Sequence, residues 1–187
     1  MVSAIFIVTL ALLESPRKAT ACEPTACLKA ISARVAVTPL ELPEAALLGN
    51  WGGGPGLSGS ELYFFHDHTY IYTEWADVEP ETIYDKGRWT VAAGVLTLVP
   101  DRDVTWSPKN DRRFLTVRET GQAINLLFGL DRNLELFHLL IKEEPQYAQD
   151  YFRLSSRKRL RAWSQADAPS IKADLMRRCW KPNYHRQ

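Results

Sequence analysis

The segment that most constrains the fold of this chain spans residues 87–100. Trp89 and Val91 alternate with polar residues in its first half. Leu96 and Leu98 do the same in its second half, after a short Ala-Ala-Gly connection. A two-residue period is typical of strands with one buried face, and a short connection containing glycine suits a tight turn. The segment therefore predicts a β-hairpin.

Similar segments occur on both sides of this hairpin. Alternating apolar residues, separated by short turns, lie in residues 61–75, 113–118, 122–128, 133–141 and 150–155. Strands of this number and spacing are typical of closed or two-layered antiparallel sheets. The sequence therefore predicts a mainly β protein of about eight strands, either an antiparallel up-and-down barrel or a β-sandwich. We expect residues 134–141, which are apolar on both faces, to form a strand covered by another element.

The charge of the chain is divided unevenly along its 187 residues. Residues 1–152 carry 13 basic and 20 acidic side chains, whereas residues 153–187 carry 10 and 2. This asymmetry indicates either an external partner or a tail that lies on the acidic body. We divide the chain into a signal segment (1–21), an N-terminal extension (22–46), the barrel (47–155) and a basic tail with a helix (156–187).

The N-terminus is similar to an export signal. Residues 3–13 form an apolar run that is too short to span a bilayer, and Ala19-Thr20-Ala21 is a small-residue cleavage site directly before Cys22. A buried strand or helix start is the alternative. We expect an exported protein in the periplasm, the cell envelope or the medium, and a lipid on Cys22 is a narrower option.

Three cysteines suit an oxidising compartment. If Cys22 carries a lipid, Cys27 and Cys179 remain to form a disulfide that links the two ends of the mature chain. A bridge between Cys22 and Cys27 is the alternative. In a reducing compartment all three would be thiols without a role.

The basic tail offers a second functional surface. Residues 157–161 are polybasic, and Ile171, Leu175 and Cys179 recur every four residues, which predicts a C-terminal helix that docks on the barrel. Basic residues near Trp163 suggest an anionic membrane surface, whereas nucleic acid is not the expected partner. Pairing with the acidic body is the alternative that needs no partner.

Short motifs in the barrel segment resemble those of small bacterial lipocalin-like proteins. They are Gly49-Asn50-Trp51, Gly87-Arg88-Trp89 and the Phe-x-x-Asp-x-Thr-Tyr pattern from Phe64 to Tyr70. The resemblance favours an up-and-down barrel of about eight strands with a C-terminal helix. It implies that Trp51 closes the barrel floor, and that an arginine on the last strand covers it, for which Arg153 is the candidate. It also implies a small apolar ligand and a protein that is seldom an enzyme.

The interior of such a barrel supplies the candidate ligand contacts. They are the aromatic and aliphatic residues Phe64, Tyr70, Tyr72, Trp89, Leu96 and Leu98. Each of them also serves simply to fill the core, so a ligand requires space that the sequence does not reveal.

The chain carries no recognised catalytic motif, which favours a binding protein over an enzyme. His66, Asp67 and His68 at a predicted turn are too few ligands for a metal site, and we expect no metal and no cofactor. A hydrolase site at this turn, completed by His138, is the weakest hypothesis. The favoured function is an exported, non-enzymatic barrel that binds a small ligand. The alternative is an envelope protein whose tail holds anionic lipid or an acidic partner.

Overall fold

A computed structural model describes residues 22–53, 56–101 and 111–179 of the chain. The predicted signal segment 1–21 and residues 180–187 lie outside these ranges. The described strands are β1 (Val37–Pro39), β2 (Gly49–Gly53), β3 (Ser58–Phe64), β4 (Thr69–Ala76), β5 (Glu79–Ala92), β6 (Val95–Pro100), β7 (Arg113–Glu119), β8 (Ile124–Gly129) and β9 (Ser156–Arg161). The described helices are α1 (Pro24–Ser32), α2 (Glu44–Leu47), α3 (Asn133–Glu143), α4 (Ala148–Ser155) and α5 (Ala168–Cys179), with a 3-10 turn at Pro145–Tyr147.

Eight of these strands form a closed antiparallel barrel. Each strand from β2 to β8 pairs with the next strand in sequence. The last strand, β9, also pairs with β2, and this pairing closes the ring. The short β1 pairs with the end of β7 beyond β6. The predicted mainly β barrel with a C-terminal helix is therefore confirmed.

The hairpin at residues 87–100 is also confirmed. Trp89 pairs with Leu98 and Val91 with Leu96, and Ala93 and Gly94 form the two-residue turn. Both turn residues have positive φ, 48° and 73°. This backbone matches the twist of the strands, as in type I′ turns.

Two segments that alternation predicts to be strands are helices. Residues 134–141 lie in α3, and residues 150–155 lie in α4. In α3 the inward residues Leu134, Phe137 and Ile141 are three and four positions apart, which is the period of a helix face. The prediction was wrong because residues 134–141 are apolar on both faces of a strand, which hides the helix period, and because residues 150–155 are too short a run to distinguish the two periods.

The last strand is the polybasic segment that we assigned to the tail. β9 begins at Ser156, so the barrel extends to Arg161 rather than ending at residue 155. Its pairs with β2 and β8 are made by backbone groups, which explains why a charged sequence can occupy the position. The acidic segment 76–85, which separates the predicted strands 61–75 and 87–100, is likewise mostly part of β5.

Buried apolar side chains form three clusters, one inside the barrel and two outside it. The barrel interior contains Trp51, Leu62, Phe64, Tyr70, Trp89, Leu96, Phe114 and Leu127 among others. One outer cluster lies beneath α1, α3 and α4, where Phe128 stacks on Phe152 with ring centroids 4.7 Å apart. A second outer cluster lies beneath α5, where Leu175 and Cys179 are buried with Trp163.

The disulfide joins Cys22 to Cys27, across the start of α1. Cys179 is a free, buried thiol at the end of α5. The predicted bridge between Cys27 and Cys179 is therefore wrong, and the alternative pairing is the one formed. Since lipidation and the disulfide need the same sulfur of Cys22, a lipid on Cys22 stays a prediction that competes with this bridge.

Candidate functional site

Trp51 and α2 form one end of the barrel, which we call the floor. Trp51 has no exposed surface, and its indole N–H donates a 2.7 Å hydrogen bond to the carbonyl oxygen of Leu47 in α2. Gly49 has a φ of 140°, and a Cβ there would collide with the carbonyl oxygen of Arg161. Glycine at this position therefore lets β9 approach β2 closely beside the buried indole.

The arginine next to Trp51 is Arg159, not Arg153. Arg153 lies in α4, where its Nε donates a 2.5 Å hydrogen bond to Glu119. Arg159 is on β9, paired in register with Trp51, and it donates to the carbonyl oxygen of Ala46 at 2.9 Å. Paired residues on antiparallel strands point to the same face, so Arg159 occupies the position that we assigned to Arg153.

All six candidate ligand contacts belong to the interior cluster. Each is 7% exposed or less, and Phe64 meets Trp89 edge to face with centroids 5.8 Å apart. Tyr72 and Leu98 border a cavity, and Tyr70 reaches its polar wall through its hydroxyl group. The remaining three side chains pack below, where they fill the lumen.

The cavity lies at the end of the barrel where β7 begins, which we call the mouth. Since neighbouring strands alternate in direction, this end is opposite the start of β2 and the floor. Its walls are Leu62, Tyr72, Asp85, Leu98, Asp111, Arg112, Phe114 and Arg157. The cavity volume is about 10 Å³, which is enough for about one water molecule.

A buried ion pair forms one wall of the mouth. Asp85, whose side chain is 4% exposed, accepts hydrogen bonds from Arg112 Nη1 at 2.5 Å and from the Tyr70 hydroxyl at 2.7 Å. Burial, followed by the negative charge of Asp85, raises the pKa of Tyr70. The phenol therefore stays protonated and acts as a donor, and the network holds Arg112 in place beside the cavity.

Arg157 contacts an aromatic ring and a backbone carbonyl group, whereas Arg112 pairs with a carboxylate. Its guanidinium lies 5.5 Å from the centre of the Tyr72 ring, and its Nη1 donates to the carbonyl oxygen of Ser60 at 2.8 Å. Burial raises the pKa of Tyr72 to about 12 against the opposing effect of Arg157. No carboxylate forms an ion pair with Arg157 among the described residues.

Asp111 completes the polar rim. It accepts hydrogen bonds from the backbone N–H of Arg132 at 2.8 Å and from Asn133 Nδ2 at 3.4 Å, at the start of α3. Burial raises its pKa, and the nearby charge of Asp131 adds to the effect. The mouth therefore combines two guanidinium groups with two carboxyl groups, of which Asp85 is held by Arg112 and Asp111 by groups at the start of α3.

Sequence reasoning missed the polar residues of the mouth. Asp85 is four positions before Trp89 on the same inward face of β5, but it lies in the acidic segment 76–85, outside every segment predicted to be a strand. Arg157 was hidden in the polybasic run. Asp111 and Arg112 precede β7, and no period marks residues outside a strand.

The turn at His66, Asp67 and His68 connects β3 to β4 and contacts α5 through Asp67. Partial burial raises the pKa of Asp67, but hydrogen bonds from Lys172 and Thr69 outweigh it and lower the value to about 2. His68 stacks on Trp89 and lies 3.6 Å from Glu44, and His138 lies elsewhere, on α3. Within the described ranges, no three His, Cys, Asp or Glu side chains are grouped to hold a metal ion.

Cations of the C-terminal segment largely contact the protein itself. Lys172 pairs with Asp67 at 2.7 Å, and Arg177 and Arg178 pair with Asp174 at 2.7 and 2.6 Å. The pair of Lys172 with Asp67, and that of Arg178 with Glu81 at 3.8 Å, agree with the alternative in which the tail lies on the body, whereas the pairs with Asp174 lie within α5. An anionic membrane surface stays a prediction. No described helix has the length and apolar character needed to cross a bilayer.

The sequence was compared with protein-family models, curated proteins and solved structures, and none of them matches it. The likeness to lipocalin-like barrels therefore rests on the short motifs and on the strand order.

Proposed function

We propose that this protein is an exported, non-enzymatic, lipocalin-like barrel that binds a small amphipathic anion at its mouth. The observation that carries the proposal is the pair of guanidinium groups, from Arg112 and Arg157, that border one small cavity. A carboxylate or phosphate oxygen placed there can accept charge-assisted hydrogen bonds, which are stronger than neutral ones.

The walls of the mouth define the other half of the ligand. Leu62, Leu98 and Phe114 border the same cavity, so an apolar group bound there would be in contact with hydrocarbon. A cavity of about 10 Å³ is far smaller than the roughly 300 Å³ or more of typical ligand pockets. We therefore place the ligand at the rim and not deep in the lumen, where Phe64, Trp89 and Leu96 are packed.

Benzoate and its neutral isostere benzamide test this proposal. We expect benzoate to shift the NMR signals of the Arg112 and Arg157 side chains in a saturable manner, and benzamide to leave them unchanged. Arg157→Gln should weaken binding by about tenfold, because one charge-assisted hydrogen bond contributes roughly 1.5–3 kcal/mol. Arg177→Gln, on the exposed side of α5, is the matched control. Equal responses to both compounds, or equal affinities of the two variants, would contradict the proposal.

Export is supported by the apolar run at residues 3–13 and by the disulfide near the predicted cleavage site, since disulfides persist in oxidising compartments. Intact-mass measurement of the chain recovered from cells tests it. We expect a chain that begins at Cys22 and has lost two hydrogens to the disulfide. A chain that retains Met1, or that carries two free thiols in this segment, would argue against export.

A further inference from the structure

Two oppositely charged side chains, Asp111 and Arg157, border the mouth cavity without forming an ion pair with any described residue. Asp85 differs from Asp111, because it accepts hydrogen bonds from Arg112 and from the Tyr70 hydroxyl group. The charge of Asp85 is therefore balanced within the wall. The mouth presents one further negative group and one further positive group to the same small space.

The carboxyl group of Asp111 is held in a defined position. Its oxygens accept hydrogen bonds from the backbone N–H of Arg132 at 2.8 Å and from Asn133 Nδ2 at 3.4 Å. A Cβ at Gly129 would collide with this carboxyl group, so glycine there leaves the space that the group occupies. An ionised carboxyl group can accept about four hydrogen bonds. Asp111 therefore retains acceptor capacity for a ligand.

Ionisation of Asp111 is opposed by its surroundings. Burial raises its pKa, and the charge of Asp131 adds to this effect. The backbone N–H of Arg132 and the charges of Arg157 and Arg132 act in the opposite direction and offset the increase only in part. A cation within the cavity would stabilise the ionised form further, because an opposite charge nearby favours it. A ligand that brings a cation therefore improves the environment of this carboxylate.

Arg157 is the corresponding group for an anion. A guanidinium group has five N–H donors, and Arg157 donates one of them to the carbonyl oxygen of Ser60. Its guanidinium also lies over the ring of Tyr72. Arg112 is less available, because its Nη1 is already bound to Asp85. An anion in the cavity would therefore bind mainly to Arg157.

We propose that the ligand of the mouth is a zwitterion, namely an α-amino acid with an apolar side chain. This inference rests on the proposed function and extends it, because the bound anion then carries a cation on the same carbon atom. The ligand carboxylate accepts hydrogen bonds from Arg157, and the ligand ammonium group donates to Asp111. The ligand side chain lies against Leu62, Leu98 and Phe114, which border the same cavity.

Ligands with a single charge fit the mouth less well. A simple anion is attracted by Arg157 but repelled by Asp111, and for a simple amine the two effects are reversed. A zwitterion makes both contacts with the attractive sign, and each charged group accepts or donates charge-assisted hydrogen bonds. The balanced charge of the mouth therefore favours a ligand whose own charges are balanced.

Phenylalanine and its analogue without the amino group, 3-phenylpropanoate, test the inference. NMR titration of the Arg157 side-chain signals near neutral pH measures both dissociation constants. We expect phenylalanine to bind about tenfold more tightly, which is the effect of one additional charge-assisted hydrogen bond. Phenethylamine, which has the ammonium group but no carboxylate, should also bind about tenfold more weakly than phenylalanine.

Three variants test the role of Asp111. Asp111→Asn should weaken phenylalanine binding by about tenfold without weakening that of 3-phenylpropanoate, so the preference disappears. Gly129→Ala should also reduce the preference, because the added methyl group displaces the carboxyl group and leaves its charge in place. Glu135→Gln, at an exposed position in the first turn of α3, is the matched control and should keep the preference. Thermal unfolding verifies that each variant is folded.

The outcomes separate this inference from the proposed function. If 3-phenylpropanoate binds as tightly as phenylalanine, and Arg157→Gln weakens both, the zwitterion is overturned and the anion site stands. A preference for phenylalanine that persists in Asp111→Asn also overturns the inference, because the ammonium group then binds elsewhere. If neither compound shifts the Arg157 signals up to about 10 mM, the inference and the proposed function both fail.

Discussion

The two ends of the barrel interior differ in polarity. At the floor, Trp51 is fully buried among apolar side chains, and its one polar atom is bonded to Leu47. At the mouth, the same lumen contains the ion pair of Asp85 and Arg112, with Arg157 close by. One continuous interior therefore changes from hydrocarbon to charge along the axis of the barrel.

This difference separates stability from recognition. Burial of an indole whose N–H is hydrogen-bonded stabilises the fold by several kilocalories per mole, whereas a buried ion pair must first make up for the lost hydration of both ions. We infer that the floor holds the barrel together and that the mouth retains its charges for a ligand. The following predictions test that division.

The largest effect is expected at the floor. Trp51→Ala should lower the free energy of unfolding by about 3–5 kcal/mol, because it removes the indole and leaves a cavity above α2. Urea denaturation followed by circular dichroism measures the change. Trp75→Ala is the matched control, since Trp75 is only partly buried on the outer side of β4. Equal losses in the two variants would mean that the floor has no special role.

A smaller effect is expected at the mouth. Arg112→Gln should cost about 2 kcal/mol, because Asp85 is then buried without its cation; the partial exposure of Arg112 keeps the loss below that of a fully buried pair. Arg118→Gln, at an exposed position of β7, is the control. The double variant Asp85→Asn with Arg112→Gln should cost less than the two single variants together, as thermal unfolding can show.

Acid should affect the two ends with opposite signs. The pKa of Asp67, beside the floor, is lowered to about 2, so its contribution is present above the ordinary value of 3.8 and is lost as the pH falls towards 2. The pKa of Asp111 is raised, so its contribution is present below 3.8 and is lost as the pH rises through the higher folded value.

Asparagine variants isolate these two contributions. Asp67→Asn should destabilise the protein by about 0.5–1 kcal/mol at pH 6, a figure discounted for the exposure of Asp67, and by almost nothing near pH 2. Asp111→Asn should become more favourable relative to the unmodified chain as the pH rises from 3 to 7. Urea unfolding across this range measures both trends, and parallel curves for the two variants would contradict the assignment.

The smallest effect is expected at the β5–β6 turn. Ala93 has a φ of 48°, which alanine adopts only with strain. Ala93→Gly should therefore stabilise the protein by about 0.5 kcal/mol, after the extra entropy of glycine in the unfolded chain is subtracted. A small rise in the unfolding temperature is the expected result, and a fall would show that the turn is not strained.

Sequence reasoning succeeded where the period of two was clean. The hairpin around Trp89 and the antiparallel strands followed from alternation, because a strand with one buried face has apolar residues at every second position. It failed in α3, where apolar residues on every side hide the period, and in β9, where charged side chains hide a strand. Backbone pairing does not depend on side-chain polarity, so no pattern marks such a strand.

The candidate site was only half visible for the same reason. Tyr72 and Leu98 were named from their inward alternation, and both border the cavity. Asp85, Arg112 and Arg157 were not, because a charged residue in a sequence is ordinarily a solvated one. Only closure of the ring brings these three residues, from different segments, to one opening.

The sequence alone determined that strands with alternating residues would pair around an apolar core, and the resemblance to lipocalin-like proteins placed Trp51 at the floor of a barrel. The tertiary structure alone decided which arginine lies beside Trp51, which cysteines are joined and where the charges meet. The physical reason is the separation along the chain of the residues that interact. Alternation is set by neighbours along the chain, whereas Arg159, Cys22 and Arg157 take their roles from residues that only folding brings within contact distance.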